Sequence, residues 1–544
     1  MFCRMLTAAC LAALYTGAGA APNVDLLTFR ASGSSPYPAD CNGVPQSGTL
    51  YPNAEVEPFV AANPRHPLNL VGVWQQDRWS NGGSQGLGTA YSFDGGIRWN
   101  RVFLPFTRCA GGNAANGGNY ERGSDPWVSF SPNGVVHQMV LAVSFNAAAN
   151  EPQSAMLVSR STDGGRTWGR ITTLVADTAE RFNDKNALTA DPTDSRYIYA
   201  VWDRMDFVSN ESSGPTLLAR SADNGRTWEP SRVIYEPGVN GQTIGNRIEV
   251  LPDGTLVNLF THIDYISGAL TLRVIRSADK GLSWSAPITV ADLLPIGAFD
   301  PETGVPIRDG AILGQLAISR SGTINVVWQD ARFSGGLVDG IALSQSSDGG
   351  LTWSAPVQIN RDPLVQAFTP SIHVRRDGSI GVTYYDLRSN TADAATLLTD
   401  TWLTRSRDGL TWREGRVTAT FDLARAPLAG GYFLGDYQGL TSIGPIFIPF
   451  FVKSGGEDAN RNDVYSLIAL DSILAGAASG SASIDAQVAQ DEAALPAMSV
   501  QGTGRAMTEV PAALRGAAWK AFDRSMRMRL PDWDARRGKR LTPP

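Results

Sequence analysis

The sequence predicts an all-β fold, a seven-bladed β-propeller carrying a short helical C-terminal tail. One motif recurs six times: Ser92–Trp99 reads SFDGGIRW, followed by Ser161–Trp168, Ser221–Trp228, Ser277–Trp284, Ser346–Trp353 and the shorter Ser406–Trp412. The closing tryptophans stand 56 to 69 residues apart, a period that accommodates one four-stranded blade with its loops. The 56 glycines and 14 tryptophans among 544 residues suit many short strands joined by tight turns, not a helical bundle.

Residues 1–21 read as a secretory signal peptide, in which Arg4 precedes an apolar run closed by Ala18-Gly19-Ala20-Ala21. That run is too short to span a bilayer, and no later stretch is long and apolar enough. The mature chain is therefore expected to be secreted, extracellular or periplasmic. Cys3 and Cys10 leave with the signal, so Cys41 and Cys109 remain. An oxidising compartment makes a disulfide between them the expectation, with two buried thiols as the alternative.

Residues 22–472 form the predicted propeller. Within each motif an Asp such as Asp94 can accept backbone amides, while the glycines supply unusual backbone angles. Apolar strands with polar tips run ahead of the motifs, as in LVGVWQQDR and INVVWQDAR. A last blade without the motif is expected from Tyr437–Gly444, Pro445–Val452 and Asp463–Leu470, with Val24–Arg30 as fourth strand. Closing the ring from the other terminus removes exposed edges. Six blades, with those strands packed outside, is the alternative.

Residues 473–544 read as linker and tail. Gly476–Ala494 is small and polar, and Pro511–Leu530 has an amphipathic helical pattern with a basic end, expected to remain solvated.

A formal net charge of -6 argues against a nucleic-acid partner. The four histidines, His66, His137, His262 and His373, form no paired metal spacing. Neither a redox cofactor nor a catalytic metal is expected. Asp458, Asn460, Asn462 and Asp463 could hold a structural Ca²⁺ through oxygens, but the glycine of a calcium loop is missing and a polar hairpin is the preferred reading. Gly82-Gly83-Ser84-Gln85-Gly86 matches GxSxG by letters alone, without a strand-to-helix elbow. Asn210-Glu211-Ser212 is a glycosylation acceptor only where the host glycosylates.

In a propeller the starts of first strands and the ends of second strands gather at one face, around the channel. Recurring Asp–Arg tips there, Asp77-Arg78, Asp203-Arg204, Asp330 with Arg332 and Asp386 with Arg388, read as ion pairs between blades. Residues that break the repeat are better functional candidates. These are Tyr120, Glu121, Arg122 and Asp125; Asp184 and Lys185; Asn246, Arg247 and His262; Arg308 and Asp309; and Asp436 and Tyr437. As a ring of arginines, carboxylates and aromatics they suit an anionic sugar, and the expected partner of this monomer is a glycan or oligosaccharide.

The six motifs resemble the Asp box, or BNR repeat, of sialidases and related propellers. The resemblance spans roughly residues 50 to 470. It implies a glycosidase with a tyrosine nucleophile, a carboxylate base behind it, an Asp acid and three arginines on the substrate carboxylate. Carried to this sequence, Tyr437 takes the nucleophile's place, Glu249 or Glu121 the base's, and Asp125 or Asp184 the acid's. Arg78, Arg122 and Arg247 stand for the triad, with Lys185, Asp436 and Tyr120 as further substrate contacts. The chain departs from that family in its nearest match to the (F/Y)RIP motif, Thr28-Phe29-Arg30-Ala31, which lacks Ile-Pro. Three other readings remain open. One is a polysaccharide lyase or rhamnosidase-like enzyme acting beside a uronic acid, pairing Arg247 with His262 or Arg122 with Tyr437. Another is a non-catalytic glycan-binding propeller using Trp79, Trp127, Tyr120 and Phe207 as stacking platforms, and the last is a structural or adhesive surface protein.

Overall fold

The computed structural model describes residues 28–38, 40–206, 213–469, 497–499, 510–529 and 533–536. The signal peptide, the Gly476–Ala494 stretch, Phe207 and the glycosylation acceptor lie outside the described residues.

Strands dominate, and they are arranged as successive antiparallel meanders. The first strands of these units are Val56–Ala62, Arg122–Phe130, Arg181–Ala190, Gly241–Val250, Gln315–Ile318, Ala367–Val374 and Gly439–Ile443. Each pairs with the next strand along the chain. Each also packs beside the first strand of the following unit, and Gly439–Ile443 returns to Val56–Ala62, so these strands form a ring. In the last unit Thr28–Arg30 pairs antiparallel with Tyr465–Leu467, joining the two ends of the described β region.

The core lies between the sheets. Trp74, Trp202 and Trp328 on second strands are fully buried. Their indole N–H groups are satisfied by Gln76, Asn183 and Asp330 respectively, as burial of a polar group requires.

The repeated motif folds the same way each time. Ser92 Oγ donates to Asp94 Oδ1 and accepts from the Gly96 amide, while Asp94 Oδ1 accepts from the Arg98 amide at 2.9 Å. Equivalent serine–aspartate bonds recur at Asp163, Asp223, Asp279, Asp348 and Asp408. Gly96 has φ 93°, a conformation that costs glycine little. Hydrogen bonds from Ser283 and Ser277 hold the Asp279 carboxyl down to about 2, so this carboxylate is committed to its turn.

Two expectations are corrected. The Asp–Arg tips mostly pair within one strand end: Arg332 with Asp330 at 2.8 Å and Arg388 with Asp386 at 2.5 Å. Arg204 pairs with Asp206 instead of Asp203, at 3.0 Å. The tail does not stay solvated. Helix Ala512–Arg529 buries Leu514, Ala518, Trp519, Phe522 and Met526 along one side, and Trp533 is buried beside it. Each large side chain so buried contributes about 1.5–3 kcal/mol. Within the tail region Ala497–Ser499 pairs with Thr411–Arg413. Among the described residues no helix is long and apolar enough to cross a membrane.

Candidate active site

Five of the seven first strands share one irregularity. Their pairing slips between Val56 and Phe59, Ser124 and Trp127, Asp184 and Ala187, Ile244 and Arg247, and Phe368 and Ser371. Inside each slip one residue has left-handed backbone: Glu57 (φ 54°), Asp125 (48°), Lys185 (41°), Gly245 (69°) and Thr369 (50°). For the four that carry a side chain this conformation costs of order 1–3 kcal/mol and persists only where the surroundings enforce it. A bulge breaks the in–out alternation of a strand and re-aims a side chain. Here it turns Glu57, Asp125 and Lys185, from three successive units, towards one another.

Lys185 Nζ lies 2.5 Å from Asp125 Oδ1, 2.8 Å from Asp436 Oδ2 and 3.3 Å from Glu57 Oε1. An ammonium has three donors, and three carboxylates receive them. Arg308 grips Asp436 through Nε and Nη2, at 3.1 and 2.9 Å. Arg78 Nη1 donates to Gln75 Oε1 at 2.7 Å, and Gln75 Nε2 donates to Glu57 and to Ser124 Oγ. Ser124 in turn donates to Asp125 Oδ2 at 2.8 Å. The Phe433 ring lies against both guanidinium groups, 4.9 Å from Arg78 and 4.4 Å from Arg308. Three carboxylates thus face three cations, and every member is buried. Burial, reinforced by Asp125, pushes the Glu57 carboxyl up to about 7.

Beside the cluster is a hollow of about 30 Å³ lined by Asp125, Lys185, Asn246, Arg247, Gln315 and Tyr437. Beyond it, along the axis of the ring, a channel of about 270 Å³ is lined by Phe59, Trp127, Thr189, Glu249, His373 and Thr441. Phe59 and Trp127 stack at 3.7 Å, with the Arg247 guanidinium 5.4 Å from the Trp127 ring.

Of the sequence candidates, Asp125, Lys185, Asp436, Arg78, Arg308 and Tyr437 come together. The others do not join them. Arg122 donates to Gln46 Oε1, Asn81 Oδ1, Gly82 O and Ser47 O, and its guanidinium lies 4.5 Å from the Trp79 ring. It fastens the segment that the Cys41–Cys109 disulfide also holds. Tyr120 packs with Leu104 and Phe106, and Glu121 accepts from Gln46 and Asn146. Asp184 sits opposite Asp203 in its ladder. Arg247 pairs with Glu249 at 3.2 Å on the channel wall. His262 lines neither hollow; its ring lies 3.5 Å from the Tyr235 hydroxyl, and burial pulls it down to about 4.

The Tyr437 hydroxyl donates to Pro126 O at 3.1 Å, and burial together with the Glu57 charge raises its pKa well above the usual phenol value. Neither Glu249 nor Glu121 touches it. The phenol thus gives its proton to a backbone carbonyl and not to a carboxylate base. Two of the four stacking platforms are occupied too, Trp79 by Arg122 and Trp127 by Phe59. Ser84 Oγ donates to the carbonyls of Gly86 and Gly123, with no base beside it.

Among the described residues no group of three or more His, Cys, Asp or Glu could hold a metal ion. Around the candidate Ca²⁺ loop, Asp458 pairs with Arg461, Asn460 donates to Asp463, and Asn462 binds Ser454 and Phe433 O.

The sequence reading missed Glu57. Its signal was present in the shared pattern of a carboxylate, a proline and an aromatic, Glu57-Pro58-Phe59 against Asp125-Pro126-Trp127.

No protein-family model matches the chain, and no curated protein does. Among solved structures it is similar to the Hadza microbial sialidase Hz136, at 17% identity over 73% of this chain and 76% of that one, TM-score 0.44. It is also similar to the alpha-L-arabinofuranosidase Arb93A from Fusarium graminearum, at 11% identity over 76% and 93%, TM-score 0.41. A third is the intramolecular trans-sialidase from Ruminococcus gnavus, at 13% over 67% and 97%, TM-score 0.42. Likeness this remote carries no inference about activity, which rests on the site itself.

Proposed function

We propose that the chain is a seven-bladed Asp-box propeller, exported from the cell, that hydrolyses a glycosidic bond at the Glu57–Asp125–Lys185–Asp436 cluster. The observation that carries this reading is the meeting of Glu57 and Asp125 on one ammonium. Their nearest oxygens are held at 3.3 and 2.5 Å from Lys185 Nζ. Glycoside hydrolysis asks two carboxylates for opposite protonation states. Glu57, pushed up to about 7, suits the acid that protonates the leaving oxygen. Asp125, held by Lys185 and Ser124, suits the carboxylate partner. Lys185 positions both.

The substrate favoured is a neutral sugar. The arginine triad of the sialidase reading is dispersed: Arg122 holds a loop, Arg247 pairs with Glu249, and Arg78 is committed to Gln75 beside Glu57. Burial of every cluster member supports a second reading, a structural hub in a glycan-binding ring. Purified protein screened on arabinan, neutral oligosaccharides, sialosides and uronic-acid polymers separates them. Hydrolysis releases reducing sugar, a lyase creates an ultraviolet-absorbing unsaturated uronate, and a hub does neither.

A further inference from the structure

The cluster is covered on one side by the loop between Leu293 and Leu313, which delivers Arg308. This loop is stitched to a second long connection where Ile307–Arg308 pairs in parallel with Tyr432–Phe433. Asp309 ties it together by accepting from the Ala298 and Ala311 amides. Gly310 lies against the backbone of Asp436, so near that a Cβ there would fall 2.1 Å from the Asp436 carbonyl oxygen.

The C-terminal helix packs on this same region. A Cβ built on Gly297 would lie 3.5 Å from Arg524 Nη1 and 3.9 Å from Ala521 Cβ. At Gly336 a Cβ would meet Leu514. Trp519, Phe522 and Trp533 surround Tyr265, with ring centroids 6.0, 6.0 and 6.3 Å away. Tyr265 donates its hydroxyl to Gln242 at the start of a first strand, the end of the ring where Glu57, Asp125 and Lys185 also lie. The helix therefore bears on the Gln242 strand and on the Gly297–Asp309 loop, which carries Arg308 to the cluster.

We propose that this helix is a strap: docked, it holds the Leu293–Leu313 loop and Arg308 closed over the carboxylate cluster, and its release opens the way for a glycan. The inference rests on the hydrolase reading for what enters, but not for the movement. It accounts for a site whose members are all buried although a substrate must reach them. The helix is joined to the ring through a long connection, of which Ala497–Ser499 is anchored on the sixth unit, so release leaves the tail tethered.

The test uses the full chain and reads hydrogen exchange before activity. In Trp519→Ala/Phe522→Ala the amides of Ile296–Asp309 should exchange at least tenfold faster, while those of Leu70–Trp79 stay unchanged. Arg524→Glu, which alters only a partly exposed side chain, should move the same amides in the same direction and serves if the double variant does not fold. A disulfide between Gly297→Cys and Ala521→Cys fits the Cβ separation of about 3.5–4.5 Å that such bonds need. Oxidised, it should keep exchange at or below the wild-type rate and lower turnover at least tenfold against either single-cysteine variant. Faster loop exchange with no variant cleaving any glycan would uphold the strap and remove the hydrolase reading. Unchanged loop exchange in a folded, helix-released variant would overturn the strap.

Discussion

Lys185 spans from the third first-strand to the second, placing Nζ 2.5 Å from Asp125 Oδ1 while also reaching Glu57 and Asp436. Removing one partner from a buried ionic group strands the rest, at a cost of about 3–5 kcal/mol. Lys185→Met should therefore lower unfolding stability by that amount in denaturant titrations. Adding Glu57→Gln to it should recover part of the loss, because one fewer carboxylate is left unpaired.

Glu57 titrates in a useful range. Its ordinary value of 4.5 is raised to about 7 in the folded chain, first by burial and then by Asp125. The folded state thus holds a proton that the unfolded state has released. Its stabilising contribution is complete below about pH 4.5 and is lost as pH climbs through about 7. Calorimetric scans should show that decline, and Glu57→Gln should flatten it. If Glu57 is the acid, activity also falls above about pH 7, and the variant loses on the order of 10²–10⁴ in rate.

Tyr437→Phe separates this site from one built on a tyrosine nucleophile. The phenol gives one hydrogen bond to Pro126 O, worth about 0.5–1.5 kcal/mol. The variant should melt slightly lower and keep turnover within a few-fold. Loss of all turnover with unchanged melting would return the nucleophile role to Tyr437.

Arg122→Ala should act through stability, not chemistry. Four side-chain hydrogen bonds and its stack on Trp79 disappear, and Glu121 loses a neighbouring charge. The cost should be about 3 kcal/mol, with faster proteolysis of the Cys41–Gly48 segment and a KM changed less than two-fold.

The repeated motif was legible because its spacing is chemical: a Ser, an Asp and a Gly at fixed offsets make one turn wherever they occur. The strand order followed from apolar runs between those turns, and the partner for Thr28–Arg30 from the missing fourth strand. The site was half legible. Asp125, Lys185, Asp436 and Tyr437 stood out for breaking the repeat, whereas Glu57 looked like an ordinary strand residue. What unites Glu57 with Asp125 and Lys185 is a bulge with left-handed backbone, and neither glutamate nor lysine advertises that conformation. Arg122 and His262 failed for the opposite reason. Both are unusual in type, but their strand positions aim them at a neighbouring loop and at Tyr235. The tail's docking depended on Tyr265 and Gly297, whose proximity to Trp519 and Ala521 no local pattern encodes.

The most direct test of the central claim compares wild-type protein with Glu57→Gln and Asp125→Asn on the glycan panel, each variant first shown to be folded by calorimetry. Wild type should release reducing sugar from at least one neutral glycan, and both variants should lose at least 100-fold of that rate, about 2.7 kcal/mol of barrier. Wild-type release that survives both substitutions would contradict the claim, and so would silence across the whole panel.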